Sequence, residues 1–164
     1  MKLLSPAISS LARMRLWRIE AWKNNPLDAQ REVLQDLVTS AQYTEFGRKY
    51  NFSQLFNVRA FKDAIPIHEY NDLKPYIERI MNGEQNILWN TPIYWFAKSS
   101  GTTSDKSKFI PVSDESLKDS HYKAVKDVLT MYYQFNPDSE LLTGKGLVLG
   151  GSHNINPMNN EAQY

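Results

Sequence analysis

The sequence has no cysteine. That absence excludes a disulfide framework and every thiolate metal or redox site, and it suits a reducing compartment. Histidine is scarce too. His68, His121 and His153 lie far apart, and no pair has the spacing of metal ligands. No apolar run approaches the roughly 18 residues that a membrane-spanning helix needs. Nor is there a strong charge of one sign. Nineteen Lys and Arg face eighteen Asp and Glu, for a net charge of +1, so the chain lacks the basic field of a dedicated nucleic-acid binder. Disorder is excluded by what is present: 41% hydrophobic and 23% charged residues, with nine Tyr, seven Phe and four Trp. At 164 residues the length fits a single domain.

The opening "MKLLSPAISSLARMRLW" lacks acidic residues before Glu20, a faint likeness to a transit peptide. Ser5, Pro6, Ser9 and Ser10 interrupt its apolar section, and Arg13, Arg15 and Arg18 sit where a signal peptide is apolar. We read it as an amphipathic surface helix of a cytoplasmic protein.

Helical spacing dominates the first half. Ser5-Pro6 is a start signal, and Ile8, Leu11, Ala12, Leu16 and Ile19 carry the stripe to about Trp22. Asn25-Pro26 repeats the signal ahead of Val33, Leu34, Leu37, Val38 and Ala41. Thr44 can cap a short helix through "EFGRKY", and "VRAFKDAIP" predicts another that stops before Pro66. Leu73, Tyr76, Ile77, Ile80 and Met81 form one more stripe, which Gly83 is placed to end.

The character changes near Asn90. "IYWFA" and "KFIPV" read as strands. Ser113 then caps a long helix with Asp114 and Glu115 in its first turn and an apolar face of Leu117, His121, Ala124, Val125, Val128, Leu129 and Tyr132. A buried-type strand is expected from Leu147 to Leu149. Such a strand needs neighbours, so the chain is expected to be the leading part of a longer protein. The fold class is α/β (mixed): a helical leading region, 1–92, then the first strands of a larger domain, 93–164.

Most of the remaining polar and aromatic residues have plain structural readings. His68 reads as a surface or capping residue and His121 as a core or boundary residue. Trp95, Tyr132 and Tyr133 read as core aromatics, and Arg31, Glu32 and Asp36 as a solvated face. His153 follows two glycines at a strand end, where lining an acyl pocket is the minority alternative.

One stretch asks for chemistry. Between the two strands, "SSGTTSDKSK" runs from Ser99 to Lys108 without a large apolar side chain. Gly101 permits positive φ and close backbone approach. Ser99, Ser100, Thr102, Thr103 and Ser104 supply hydroxyl and N–H donors, and Lys106 and Lys108 supply charge. Successive N–H groups in a tight turn form an anion-binding concavity. The Walker pattern is absent. Composition alone leaves a plain connector open.

The order of residues adds to this. "SSGTTSDKSKFIP", Ser99 to Pro111, resembles the phosphate loop of adenylate-forming enzymes. Within that superfamily it resembles the auxin-responsive promoter protein family of acyl-acid amido synthetases. Ser104 stands where the general pattern has a second glycine, and Lys108 falls one position late; both departures suit this branch. "YNDLKPYIERIMNG", Tyr70 to Gly83, is similar to the segment that leads to the family's loop, and "TEFGRKYNF" also fits. The likeness spans roughly Leu27 to Gly151.

The resemblance implies activation of a carboxylic acid by ATP with Mg²⁺, through an acyl-adenylate, followed by attack of an amine, usually an amino acid. It assigns Ser99, Ser100, Gly101, Thr102 and Thr103 to the phosphate cradle and Lys108 to neutralising phosphate charge. Lys106 falls in the variable part. No metal ligand is assigned, and no nucleic acid or membrane partner is implied. The family's later motifs would lie beyond Tyr164, so these residues alone are not expected to complete the reaction. Two alternatives stay open: a ligase that ends on coenzyme A, and a helical interaction module whose loop is only a connector.

Overall fold

The structure, a computed structural model, describes residues 4–99 and 108–137 together with 139, 141, 145 and 147, with side chains from Met14 onward. Six helices and two strands are defined among them. They are α1 (Leu4–Asn24), α2 (Pro26–Ala41), α3 (Glu45–Lys49), α4 (Val58–Ala64), α5 (Tyr70–Met81), β1 (Trp95–Lys98), β2 (Phe109–Val112) and α6 (Tyr122–Phe135). A short 3₁₀ turn, Phe52–Gln54, joins α3 to α4. Among the described residues, mostly helix with one small antiparallel sheet agrees with the expected class. No described helix is long and apolar enough to cross a membrane.

The described residues group into two compact units. One holds α1 together with the chain from Lys118 onward; the other holds residues 30–117. In the first, α1 packs on α6, and the Arg15 guanidinium forms a two-pronged ion pair with Asp127, one prong being Nη2 to Oδ2 at 2.7 Å. That bidentate contact is specific in direction and only partly exposed.

The second unit has two apolar clusters. Val38 and Ala41 of α2 meet Phe52 and Leu55. Ile77 and Ile80 of α5 meet Ile87, Ile93 and Phe96 of β1. Trp89 packs partly against both clusters. The solvated face expected for Arg31, Glu32 and Asp36 is exposed.

Thr44 begins α3 as its sequence suggests. Its hydroxyl accepts the Gly47 N–H at 2.9 Å and donates to the Ala41 carbonyl at 2.7 Å. Gly83, at φ 97°, ends α5 in the left-handed region open to glycine. In the next helix the Ser113 hydroxyl accepts the Ser116 N–H at 3.1 Å, which confirms the cap. The chain then runs as a wide π-type stretch, Ser116–His121, before α6 begins. This stretch was not foreseen.

Several side chains differ from expectation. Val125, Val128 and Tyr132 of α6 are exposed, as is His121, because the described residues of their unit cover only part of that face. Trp95 and Tyr132 are not core aromatics: both are exposed. His68 is half-buried and belongs to an aromatic cluster. Its Nε2 lies 2.9 Å from the Tyr50 hydroxyl, and its ring meets Phe46 edge-on. The strand expected at Leu147–Leu149 lies outside the described residues except for Leu147, which is exposed and not in a strand. His153 also lies outside them.

Candidate functional site

The two strands form a hairpin with Trp95 opposite Val112, Phe96 opposite Pro111, Ala97 opposite Ile110 and Lys98 opposite Phe109. Phe96 anchors it from below, buried among the isoleucines of α5 and the following segment. Both ends of the candidate loop are therefore mounted on a packed element.

At the loop's foot Ser99 and Lys108 face each other. The Ser99 N–H donates to the Lys108 carbonyl at 2.9 Å, and the Lys108 N–H donates to the Ser99 hydroxyl at 3.1 Å. The second bond replaces a backbone acceptor with a side chain. It closes the hairpin at the point where the loop leaves it. Ser100, Gly101, Thr102, Thr103 and Lys106 lie outside the described residues, so of the predicted cradle the structure places Ser99 and brings it against Lys108.

The register also explains what the far side of β2 does. Opposed residues in an antiparallel pair alternate between bonding each other and turning their main-chain groups outward. Ser99 and Lys108 bond, so Phe109 and Pro111 face away from β1. Pro111 has no N–H to satisfy. Phe109 has both groups, and Tyr70 of α5 meets them. The Tyr70 hydroxyl accepts the Phe109 N–H at 3.0 Å and lies 3.3 Å from the Phe109 carbonyl, to which it donates.

Two cations flank this point. The Lys108 ammonium stands 5.5 Å from the centroid of the Tyr70 ring, and the Lys98 ammonium 5.8 Å from that of Phe109. Both are within reach of a cation–π attraction. Among the described residues no carboxylate pairs with Lys108.

A second tie holds the segment just after β2. Glu115 Oε2 accepts from the Trp89 indole at 3.2 Å and from the Thr91 hydroxyl at 2.9 Å. Its own backbone N–H and these side-chain donors hold the carboxyl below the usual glutamate range, against an opposing effect of burial. The sequence marked Glu115 only as a first-turn acid, and it marked Tyr70 only as the start of a motif run. The pairing of both residues depends on segments distant in the chain.

A profile of the GH3 family N-terminal domain matches residues 15–159. The chain belongs to the GH3 family. An indole-3-acetic acid-amido synthetase, GH3.2 of Arabidopsis thaliana, is 33% identical over 117 residues, which is 70% of this chain and 21% of that protein. The jasmonoyl–L-amino acid synthetase JAR6 of Nicotiana attenuata is 36% identical over 104 residues, 61% of this chain and 18% of its own length. Among solved structures, the AtGH3.15 acyl acid amido synthetase in complex with 2,4-DB superposes with a TM-score of 0.80 at 25% identity. That match covers 94% of this chain and 27% of the other. This GH3 chain thus spans about a fifth of the length of the curated relatives it matches.

Among its described residues no group of three or more His, Cys, Asp or Glu side chains gathers to hold a metal ion.

Proposed function

We propose that this GH3 chain carries the phosphate-binding loop of an ATP-dependent acyl-acid amido synthetase. The observation that supports the reading most directly is the clasp between Ser99 and Lys108 at the mouth of a packed hairpin. It brings Ser99 against Lys108 at the hairpin end from which the intervening residues of the sequence depart. In this reading Ser99, Ser100, Gly101, Thr102 and Thr103 cradle the phosphates of ATP, and Lys108 neutralises their charge as the carboxylate attacks the α-phosphorus. Pyrophosphate leaves and the acyl-adenylate forms. An amine, taken from the amido synthetase activity of the relatives to be an amino acid's, then attacks the acyl carbon and AMP leaves. Mg²⁺ enters with ATP as the counter-ion of its phosphates, and no protein ligand is assigned to it. Residues 93–164 open the nucleotide-binding core, and 1–92 lead into it. A cytoplasmic setting, suggested by the lack of cysteine, belongs to the same proposal.

The test is carboxylate-dependent ATP–pyrophosphate exchange by the full-length gene product, offered a pool of aromatic and aliphatic acids. Exchange is expected only with an acid present, and Lys108→Ala is expected to lower it at least about a hundredfold, the loss typical when a charge-stabilising donor is removed. Exchange unaffected by Lys108→Ala, or a folded protein that neither exchanges nor binds Mg-ATP, returns the loop to being a connector.

A further inference from the structure

The hairpin clasp leaves one question about Lys108. A lysine on a flexible stem, exposed and without a carboxylate partner among the described residues, has no evident reason to hold still. Yet a charge that stabilises a transition state works best when it is already in place before the substrate arrives. Something has to fix the stem's direction without cancelling its charge.

Tyr70 meets both conditions. It sits at the start of α5, 39 residues before Phe109, and packs partly into the isoleucine cluster. Its position is therefore set by the core and not by the loop. Its hydroxyl takes both outward-facing main-chain groups of Phe109, the residue next to Lys108. That bond fixes the peptide from which the lysine stem departs. Its ring then stands 5.5 Å from the ammonium. An aromatic face attracts a cation through its quadrupole and carries no net charge, so the lysine is seated while its full positive charge stays available to an anion. A carboxylate in the same place would have cancelled that charge.

We propose that Tyr70 is the positioning residue of the phosphate loop: it pins the Phe109 main chain with its hydroxyl and seats the Lys108 ammonium with its ring. The inference rests on the phosphate-loop reading above and adds a residue outside the loop to it. In this proposal Tyr70 acts through Lys108 and not on ATP or the acid directly.

The experiment measures acid-dependent ATP–pyrophosphate exchange by the full-length gene product and by Tyr70→Phe, Tyr70→Leu, Lys108→Ala and the double variant Tyr70→Leu/Lys108→Ala, with a melting temperature for each. Tyr70→Phe keeps the ring and loses the hydroxyl, and is expected to raise the KM for ATP about threefold. Tyr70→Leu loses both, and is expected to raise it about tenfold or more. The KM for the acid should stay within about twofold of wild type in both. In the Lys108→Ala background Tyr70→Leu is expected to add nothing, because the partner through which it acts is gone. A merely structural tyrosine would lower the melting temperature and the active fraction while leaving the KM for ATP unchanged. That outcome overturns the proposal, as does full additivity of the two substitutions. If Tyr70→Leu does not fold, the threefold shift in Tyr70→Phe decides the matter. Failure of the parent reading looks different: wild type and Lys108→Ala then behave alike. If instead Lys108→Ala collapses and the Tyr70 variants match wild type, the role of Tyr70 alone is lost.

Discussion

Thr44 has no solvent exposure and uses its hydroxyl twice, once to start α3 and once to hold the end of α2 at Ala41. Replacing it with valine keeps the shape and removes both bonds. Thr44→Val is expected to lower the unfolding free energy by about 1–2 kcal/mol, measured by urea denaturation. Gly47, one turn later, is needed for space. A Cβ there would stand 2.0 Å from the Ala41 carbonyl oxygen. Gly47→Ala is therefore expected to cost about 3 kcal/mol or more, because the neighbour in the way is backbone and cannot swing aside. Glu115 supplies a pH dependence. Its folded pKa lies below the unfolded value, held there by its own N–H and by Thr91, Ser113 and Trp89. Its contribution is full above the ordinary glutamate pKa of about 4.3 and is lost as pH falls through the lower folded value. Melting temperatures from about pH 5 to pH 3 should fall more steeply in wild type than in Glu115→Gln, which has no carboxylate to protonate.

α5 is the element that connects core and loop. Its motif run divides its tasks by face. Ile77 and Ile80 enter the core. Tyr76 accepts the Lys49 ammonium at 2.9 Å. Arg79 bridges Glu45 and Glu84, each at 2.8 Å. The Asp72 carboxylate accepts the Glu69 N–H at 2.8 Å, which anchors the first turn beside Tyr70. Ile80 is almost completely buried, so Ile80→Ala is expected to cost about 2–5 kcal/mol in denaturant unfolding. Since α5 carries Tyr70, the same substitution is expected to loosen the loop's foot. Most of these elements were legible in the sequence because their signals are local. The Thr44 cap, Gly83 beyond the last turn, and the short β-rich runs on either side of the loop each need only a few neighbours. What stayed hidden was non-local or depended on packing. Nothing near Tyr70 says that its hydroxyl meets Phe109, and nothing near Glu115 points to Trp89. The π-type stretch at Ser116–His121 has a good helical pattern, so periodicity could not separate it from an ordinary turn. His68 carried no hint of its aromatic neighbours, Phe46 of α3 and Tyr50 at that helix's C-terminal end.

At the scale of the molecule, α6 presents Val125, Val128, Tyr132 and Phe135 at spacings of one helix face, all exposed, with Phe135 at 81%. Exposed apolar stripes of this kind promote association and dye binding. The 164-residue polypeptide by itself is expected to enhance the fluorescence of a hydrophobic dye and to sediment as more than a monomer. Val128→Glu with Phe135→Glu should reduce both signals. The loop's foot has a consequence of another kind. Its clasp and its Tyr70 bolt grip main-chain atoms of Lys108 and Phe109, and main chain is the same whatever side chains occupy the interval. The interior can therefore drift in sequence while its mounting persists. Distant kin of this chain should then be easier to find by a tyrosine opening the preceding helix, paired with a serine and a lysine at the two hairpin ends, than by the glycines of the loop itself.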